Sequence, residues 1–223
     1  HGHYKSANKD ALGDFGDAHA NGAQQIFTDI EELFASFKNN LPKILFGHSM
    51  GSTIALRYAQ THAGLRQLIL TGVPFNTPTQ LSIAYQIARL EHKIKGDKTS
   101  MFDGIFKQYN RTFKPTQTEF DWLSTSSTNV HNYIHDPLCG YPISTRYYRD
   151  MFEFMRLCFR HDEIAKIEKT TSLLVAWGAL DPCTQFGKGT RAFIQRLQRT
   201  DLATAQIEYP NMRHETPHEN NRT

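Results

Sequence analysis

Residues 43–59, KILFGHSMGSTIALRYA, place a serine between two glycines at the junction of two differently patterned runs. Residues 43–46 form a short apolar run, which is typical of a buried strand. Residues 50–61 contain few helix breakers and are predicted to form a helix. The stretch therefore predicts a strand, a sharp turn that carries Ser49, and a helix.

The pentapeptide Gly47-His48-Ser49-Met50-Gly51 matches Gly-x-Ser-x-Gly, the pattern of a nucleophile elbow between a strand and a helix. We expect both glycines to be required, because strand and helix nearly touch at such a turn. The Met50 N–H would begin the helix, where unpaired amides favour an oxyanion. The alternative is a glycine-rich turn with a capping serine.

A serine nucleophile needs a base, and the base needs an orienting acid. In this strand–turn–helix arrangement the chain order is serine, acid, histidine. Histidines 214 and 218 are the only ones after Asp181, and His214 follows the last predicted strand closely. We therefore predict His214 as the base.

The acid should follow the carboxyl end of a strand. Asp181 lies four residues after the predicted strand that ends at Trp177, in the segment LLVAWGALDP. Asp201 and Glu208 are less well placed, since one precedes the last strand and the other lies within it. Asp181 is therefore the predicted acid, with a simple Asp-Pro turn as the alternative.

Residues 214–218, HETPH, also match the His-Glu-x-x-His pattern of zinc peptidases. That pattern requires both histidines on one face of a helix, and Pro217 opposes a helix there. Few residues follow His218 to supply a third ligand. We predict no metal and no organic cofactor.

The remaining pattern alternates strands with helices, which indicates an α/β fold with a mostly parallel sheet and helices on both faces. Helices are predicted at residues 23–38 and 186–199, and further strands near 67–70, 172–177 and 204–210. We predict that residues 1–75 and 168–223 form the core, and that 76–167 form an inserted helical lid.

The predicted lid is rich in aromatic residues. Residues 101–159 contain 13 of the 26 aromatic side chains of the chain. Most of them would pack in a helical core, and the inner face of the lid could also line an apolar pocket.

Composition excludes several other classes. The chain has 223 residues with a net charge of +3, and its basic residues are dispersed, which gives no footprint for nucleic acid or for a membrane surface. No apolar run approaches the roughly 18 residues that a membrane span needs, so we expect no stable membrane insertion. The three cysteines, Cys139, Cys158 and Cys183, are far apart, which disfavours a disulfide framework. We expect a cytoplasmic protein, although a secretory leader upstream of the first residue stays open. Oligomeric state is not predicted.

The segments GHSMGS, WGALDP and MRHE, in this order, resemble serine hydrolases of the α/β-hydrolase fold. The nearest resemblance is to the lysophospholipase and monoacylglycerol-lipase-like group, which is also grouped with serine aminopeptidases. HGHYKSA resembles the RGHGxS segment of that group, with Tyr4 in place of glycine. FDWLS (120–124) and DPLCG (136–140) resemble its lid segments.

Two departures from the family pattern matter. The first strands of the fold, and the His-Gly loop that gives the second oxyanion N–H, would lie upstream of His1. HETPHE resembles the family's HExLNE, with Pro217 and His218 as differences. We therefore expect the sequence to be a piece of a longer protein.

The resemblance implies cleavage of a carboxylic ester in a small lipid substrate, a lysophospholipid or a monoacylglycerol. Ser49 would attack the carbonyl, with His214 as base and Asp181 as its orienting acid. An aminopeptidase is the alternative, and it would need a carboxylate pair for a substrate ammonium, such as Glu119 and Asp121. A second alternative is a catalytically impaired fragment or scaffold.

Overall fold

A computed structural model describes residues 3, 12–16, 22–37 and 41–220 of the chain. In these residues four parallel strands form one sheet in chain order. Leu68, Leu70 and Val175 are fully buried in it, as expected for a parallel sheet covered on both faces. The strands are β1 (Lys43–His48), β2 (Leu65–Thr71), β3 (Ser172–Gly178) and β4 (Thr204–Tyr209).

Helices surround this sheet on both faces, and the predicted α/β class is confirmed. The last helix begins two residues later than predicted, because Phe186 and Gly187 have positive φ angles of 55° and 75°. The helices in the described part are α1 (Gly22–Ser36), α2 (Met50–Thr61), α3 (Pro78–Lys95), α4 (Gly104–Asn110), α5 (Ser127–His135), α6 (Thr145–Cys158), α7 (His161–Ile164) and α8 (Lys188–Gln198).

Helical structure dominates between β2 and β3, as the sequence predicts. The described residues of this region contain no strand, only an isolated bridge between Thr99 and Ser144. Helix α6 packs against both α3 and α2. Its buried residues Phe154 and Met155 belong to the same apolar cluster as Leu68 of the sheet. The division into a core and a lid at residues 76–167 stays a prediction.

The register of the sheet brings several loops to one edge. His48 at the end of β1 pairs with Thr71 at the end of β2, and Gly178 of β3 pairs with Tyr209 of β4. Since all four strands are parallel, the residues that follow them emerge together at their carboxyl ends.

In the described residues, no helix has the length and apolar character needed to cross a membrane. Cys139, Cys158 and Cys183 all lie in the described part, and each is a free thiol.

Candidate active site

Ser49 occupies the turn between β1 and α2 with φ 53° and ψ −122°. Such a conformation costs a non-glycine residue about 1–3 kcal/mol and persists only where the surroundings hold it. Here the Ser49 N–H donates to the Thr71 carbonyl at 2.9 Å, and the Ser52 N–H donates to the Ser49 carbonyl at 2.9 Å. Both ends of the turn are thus fixed by backbone hydrogen bonds.

The two glycines of the elbow are not equivalent. A Cβ on Gly47 would lie 2.3 Å from the Gly51 carbonyl oxygen and 2.8 Å from the Ala55 Cβ, so only glycine fits there. A Cβ on Gly51 would meet nothing within 4 Å. The expectation that Gly51 must also be small is therefore wrong, because only the strand-side residue faces the backbone of the helix.

Three predicted side chains form a continuous hydrogen-bonded line. The Ser49 hydroxyl donates to His214 Nε2 at 2.8 Å, and His214 Nδ1–H donates to Asp181 Oδ2 at 2.9 Å. Asp181 is 0% exposed and His214 is 2% exposed, so water competes little with either bond. The second oxygen of Asp181 accepts the Cys183 N–H at 2.8 Å, which fixes the carboxylate.

Opposing effects act on the imidazole of His214. Burial lowers its pKa, but the charge of Asp181 and the hydrogen bond to it outweigh burial, with a further contribution from the Glu215 charge. The net result is a His214 pKa above its ordinary value. The site therefore stabilises the imidazolium form that a general base becomes after it accepts a proton.

Met50 is the first residue of α2, so its amide has no partner within the helix. This N–H follows directly after Ser49 at the positive end of the helix dipole. The geometry suits an oxyanion next to the serine. The Met50 side chain points elsewhere and contacts the Tyr147 hydroxyl.

His48, the histidine of the elbow, contacts the side chains of Thr71 and Glu215. The Thr71 hydroxyl lies 2.9 Å from His48 Nδ1, and Glu215 Oε1 lies 3.4 Å from its Nε2. Burial lowers the pKa of His48, although the hydrogen bond to Glu215 and nearby carboxylate charges oppose this effect. Burial also raises the pKa of Glu215, but hydrogen bonds from His48 and His218 and nearby charges lower it to about 2.

A cavity of about 420 Å³ opens onto Ser49 and His214. Most of its wall belongs to the predicted lid and is apolar or aromatic. Trp122 contributes to this wall and also packs against the His214 ring at 5.1 Å between centroids. The wall includes Phe106, Phe120, Trp122, Leu123, Tyr133, Leu138, Tyr141 and Ile143, with the polar residues Asp103, Lys107, Glu119, Cys139 and Glu215.

The family model described as serine aminopeptidase, S33, matches residues 1–221. The chain belongs to the serine aminopeptidase S33 family. No curated protein sequence gives a significant match.

Solved structures show the same α/β-hydrolase fold as this S33 family member. A thermostable carboxyl esterase from Bacillus coagulans superposes with a TM-score of 0.83 at 28% identity, over 99% of this chain and 73% of that one. A monoglyceride lipase from Saccharomyces cerevisiae gives 0.71 at 18% identity, over 99% and 70%. A monoacylglycerol lipase from Paleococcus ferrophilus gives 0.65 at 21% identity, over 89% and 69%.

Gly72 belongs to the site of this S33 family member, although the sequence analysis did not single it out. It follows β2 with φ 57°, a conformation that favours glycine. A Cβ there would lie 3.0 Å from His48 Cε1 and 3.1 Å from His214 Cε1. The residue keeps space for both imidazoles, and its only sequence signal is a glycine directly after a strand.

Glu219 was also missed. Glu219 is 2% exposed, and its carboxylate accepts the Arg213 N–H at 3.0 Å and the Thr125 N–H at 2.9 Å. The Glu215 N–H donates to the Leu123 carbonyl at 2.7 Å. These bonds fasten residues 123–125 to the loop that carries His214. We call this set of bonds the Glu219 clamp.

The two carboxylates that compete with Asp181 as the acid do not join the hydrogen-bonded line. Asp201 is exposed, and Glu208 pairs with Arg191 at 2.9 Å.

Glu119 lines the cavity, as an ammonium-binding residue would. Asp121 does not: its oxygens accept the Gln117 and Thr118 N–H groups, so that candidate was wrong, because the side chain closes a local turn.

The His-Glu-x-x-His pattern does not form a zinc site. Residues 216–218 form only a 3₁₀ turn, and His218 is exposed with Nδ1 2.8 Å from Glu215 Oε2. Of the histidine stretch at residues 1–3, to which no function was assigned, only His3 is described.

A different set of three side chains offers atoms that could bind a metal ion. Ligand atoms of Asp181, Cys183 and His214 lie within 4.8 Å of one another.

Proposed function

We propose that this chain is a serine hydrolase that cleaves carboxylic esters through an acyl-enzyme. The observation that carries the proposal is the hydrogen-bonded line of Ser49, His214 and Asp181 on a strained elbow. A hydroxyl alone is a weak nucleophile, and this arrangement supplies both a base and its orienting carboxylate.

Each side chain has a distinct role in the proposed reaction. Ser49 Oγ attacks the ester carbonyl while His214 Nε2 accepts the hydroxyl proton. The same imidazolium then protonates the leaving alkoxide. A water molecule, deprotonated by His214 Nε2, then attacks the acyl-enzyme. As the acid leaves, the imidazolium returns this proton to Ser49 Oγ. Asp181 holds the imidazole with its proton on Nδ1 and stabilises the imidazolium.

The Met50 N–H is proposed to donate to the oxyanion that forms on the substrate carbonyl. Removing one such donor typically lowers kcat ~10²–10³-fold. The family resemblance predicts a second donor from a His-Gly loop.

The proposed substrate class is a lipid monoester, a monoacylglycerol or a lysophospholipid. The cavity of about 420 Å³ falls within the ~300–1,000 Å³ range of small-molecule sites, and its mostly apolar wall suits an acyl chain. The Bacillus coagulans structure, a carboxyl esterase, supports ester chemistry. The choice of a lipid rests on the resemblance to the monoacylglycerol-lipase-like group.

An aminopeptidase remains the second candidate, and the family description favours it. Such an enzyme must bind the substrate ammonium next to the scissile bond. The carboxylates of Asp103, Glu119 and Glu215 line the cavity and could supply that charge. In the proposed ester cleavage, these three carboxylates have no direct role in binding the substrate.

Hydrolysis of p-nitrophenyl esters of graded chain length, compared with aminoacyl p-nitroanilides, separates the two candidates. We expect ester cleavage with higher kcat/KM for medium acyl chains than for acetate. Ser49→Ala serves as the control for hydrolysis that does not use the site. Faster cleavage of the aminoacyl substrates would overturn the ester proposal.

A further inference from the structure

A thiol that the proposed reaction does not use lies beside the acid–base pair. The Cys183 thiol, the Asp181 carboxylate and a His214 ring nitrogen lie within 4.8 Å of one another. Cys183 is partly exposed as a residue, whereas its two neighbours are buried. Burial and the charge of Asp181 raise the pKa of its thiol, so the free thiol carries its proton. The hydrogen bond from the Cys183 N–H to Asp181 Oδ1 fixes the turn that brings the thiol to this position.

We propose that these three residues form an inhibitory binding site for a thiophilic divalent cation of the Zn²⁺ type. Thiolate, imidazole and carboxylate are the three side-chain ligands that Zn²⁺ takes in proteins. Zn–S is ~2.3 Å and Zn–N and Zn–O are ~2.0–2.2 Å, so ligand atoms on one ion lie roughly 3–4 Å apart. The present separations need shifts of only about 1 Å.

Charge balance supports the same site. The Asp181 carboxylate and the Cys183 thiolate together neutralise a divalent cation, while His214 adds a neutral ligand. A buried cluster with no net charge avoids the large desolvation cost of an uncompensated ion. Water completes the fourth position in this assignment.

Binding at Nδ1 switches off the base, and this step rests on the proposed function of His214. A neutral imidazole carries one proton, which the bond to Asp181 places on Nδ1 in the metal-free site. When the cation takes Nδ1, that proton moves to Nε2, and the Cys183 thiol releases its proton to solvent. Nε2–H then cannot accept the Ser49 proton.

The ligand set is distinct from the His-Glu-x-x-His pattern. His218 is exposed and turned toward Glu215, so it does not join this cluster. Replacing Cys183 should therefore remove metal sensitivity, while replacing His218 should leave it unchanged.

Cd²⁺ is a suitable probe, because its bond to a thiolate gives an ultraviolet charge-transfer band. We expect this band in the wild-type protein and in Cys139→Ser, and its loss in Cys183→Ser. Zn²⁺ should inhibit ester cleavage reversibly, with EDTA restoring the rate. Relative to its own metal-free rate, Cys183→Ser should need at least ~10-fold more Zn²⁺ for half-inhibition than the wild type.

The absorbance experiment reports binding whether or not the chain cleaves esters. A Cd²⁺ band that persists in Cys183→Ser would overturn the proposed site. Equal Zn²⁺ sensitivity of the wild type and Cys183→Ser would overturn its inhibitory role. An inactive protein that still shows the Cys183-dependent band would support the site and count only against the proposed ester hydrolysis.

Discussion

Ser49 is held in an unfavourable backbone conformation by the close approach of β1 to α2, and Gly47 makes that approach sterically possible. Gly47→Ala would place a methyl 2.3 Å from a backbone oxygen that cannot move alone. We expect a loss of about 3 kcal/mol in the free energy of unfolding, measured with urea.

Gly51→Ala is the matched control. Its added methyl meets open space, and alanine favours the helix over glycine by up to ~1 kcal/mol. The unfolding free energy should stay unchanged or rise slightly. Equal losses in both variants would contradict the asymmetry of the elbow.

The pH dependence of the rate reports the state of His214. A base must be neutral to accept a proton, and Asp181 raises the pKa of His214 above 6.5 despite burial. The rate should therefore fall as the pH drops through that raised pKa. Glu215→Gln removes one of the charges that raise it, so the acid limb of kcat/KM should shift to lower pH.

Glu208→Gln is the control for that pH profile. Glu208 on β4 pairs with Arg191 on α8, and Glu208 does not contribute to the raised pKa of His214. Its profile should match the wild type. A Glu215→Gln profile that also stays unchanged, or moves to higher pH, would contradict the assignment of His214 as the titrating base.

The hydrogen-bonded line of Ser49, His214 and Asp181 could be predicted from the sequence, because a local motif and a fixed chain order point to these residues. Gly72 and Glu219 could not, because their roles depend on atoms distant in the chain. Gly72 matters for the space it leaves beside two imidazoles, and Glu219 for a bond to Thr125. Neither relation has a spacing that a single sequence displays.

At the scale of elements, the Glu219 clamp couples the segment 123–125 to the loop of His214. Glu219→Gln keeps the shape of the side chain but removes its charge and one of its two acceptors. We expect a loss of about 1.5–3 kcal/mol in the unfolding free energy and a lower kcat, because the loop loses its anchor. Urea unfolding and ester kinetics measure the two effects.

Thr125→Ala provides the comparison, since it removes only the hydroxyl bond and keeps the backbone N–H bond to Glu219. Its effect should be about 1 kcal/mol, and the double variant should lose less than the two single losses added together. Additive losses would show that the two residues do not act as one clamp.

Strands and helices next to the elbow could be predicted because their hydrophobic patterns are simple and their ends carry clear signals. The starting point of α8 could not, because Phe186 adopts a positive φ that its residue type does not favour. The local turn sets that boundary, since the Phe186 N–H donates to the Asp181 carbonyl at 2.8 Å. The packing of α6 against both α2 and α3 likewise could not be predicted from its hydrophobic pattern.

At the scale of the whole molecule, the cavity joins the predicted lid to the site, so its volume should set chain-length preference. Leu138 lines the cavity, so Leu138→Trp would fill part of the cavity volume. We expect KM to rise several-fold for long acyl chains and little for acetate, in steady-state assays with graded p-nitrophenyl esters. The exposed Ile134→Trp, which lies outside this wall, should leave the preference unchanged.

The central claim is that Ser49 is the nucleophile and that His214 activates it. Labelling of the full-length protein with a fluorophosphonate, followed by peptide mass spectrometry, measures this most directly. We predict a single adduct on Ser49, which is absent from Ser49→Ala and lost in His214→Ala. An adduct on another residue, or no adduct on a folded full-length protein, would contradict the account and favour a scaffold without hydrolase activity.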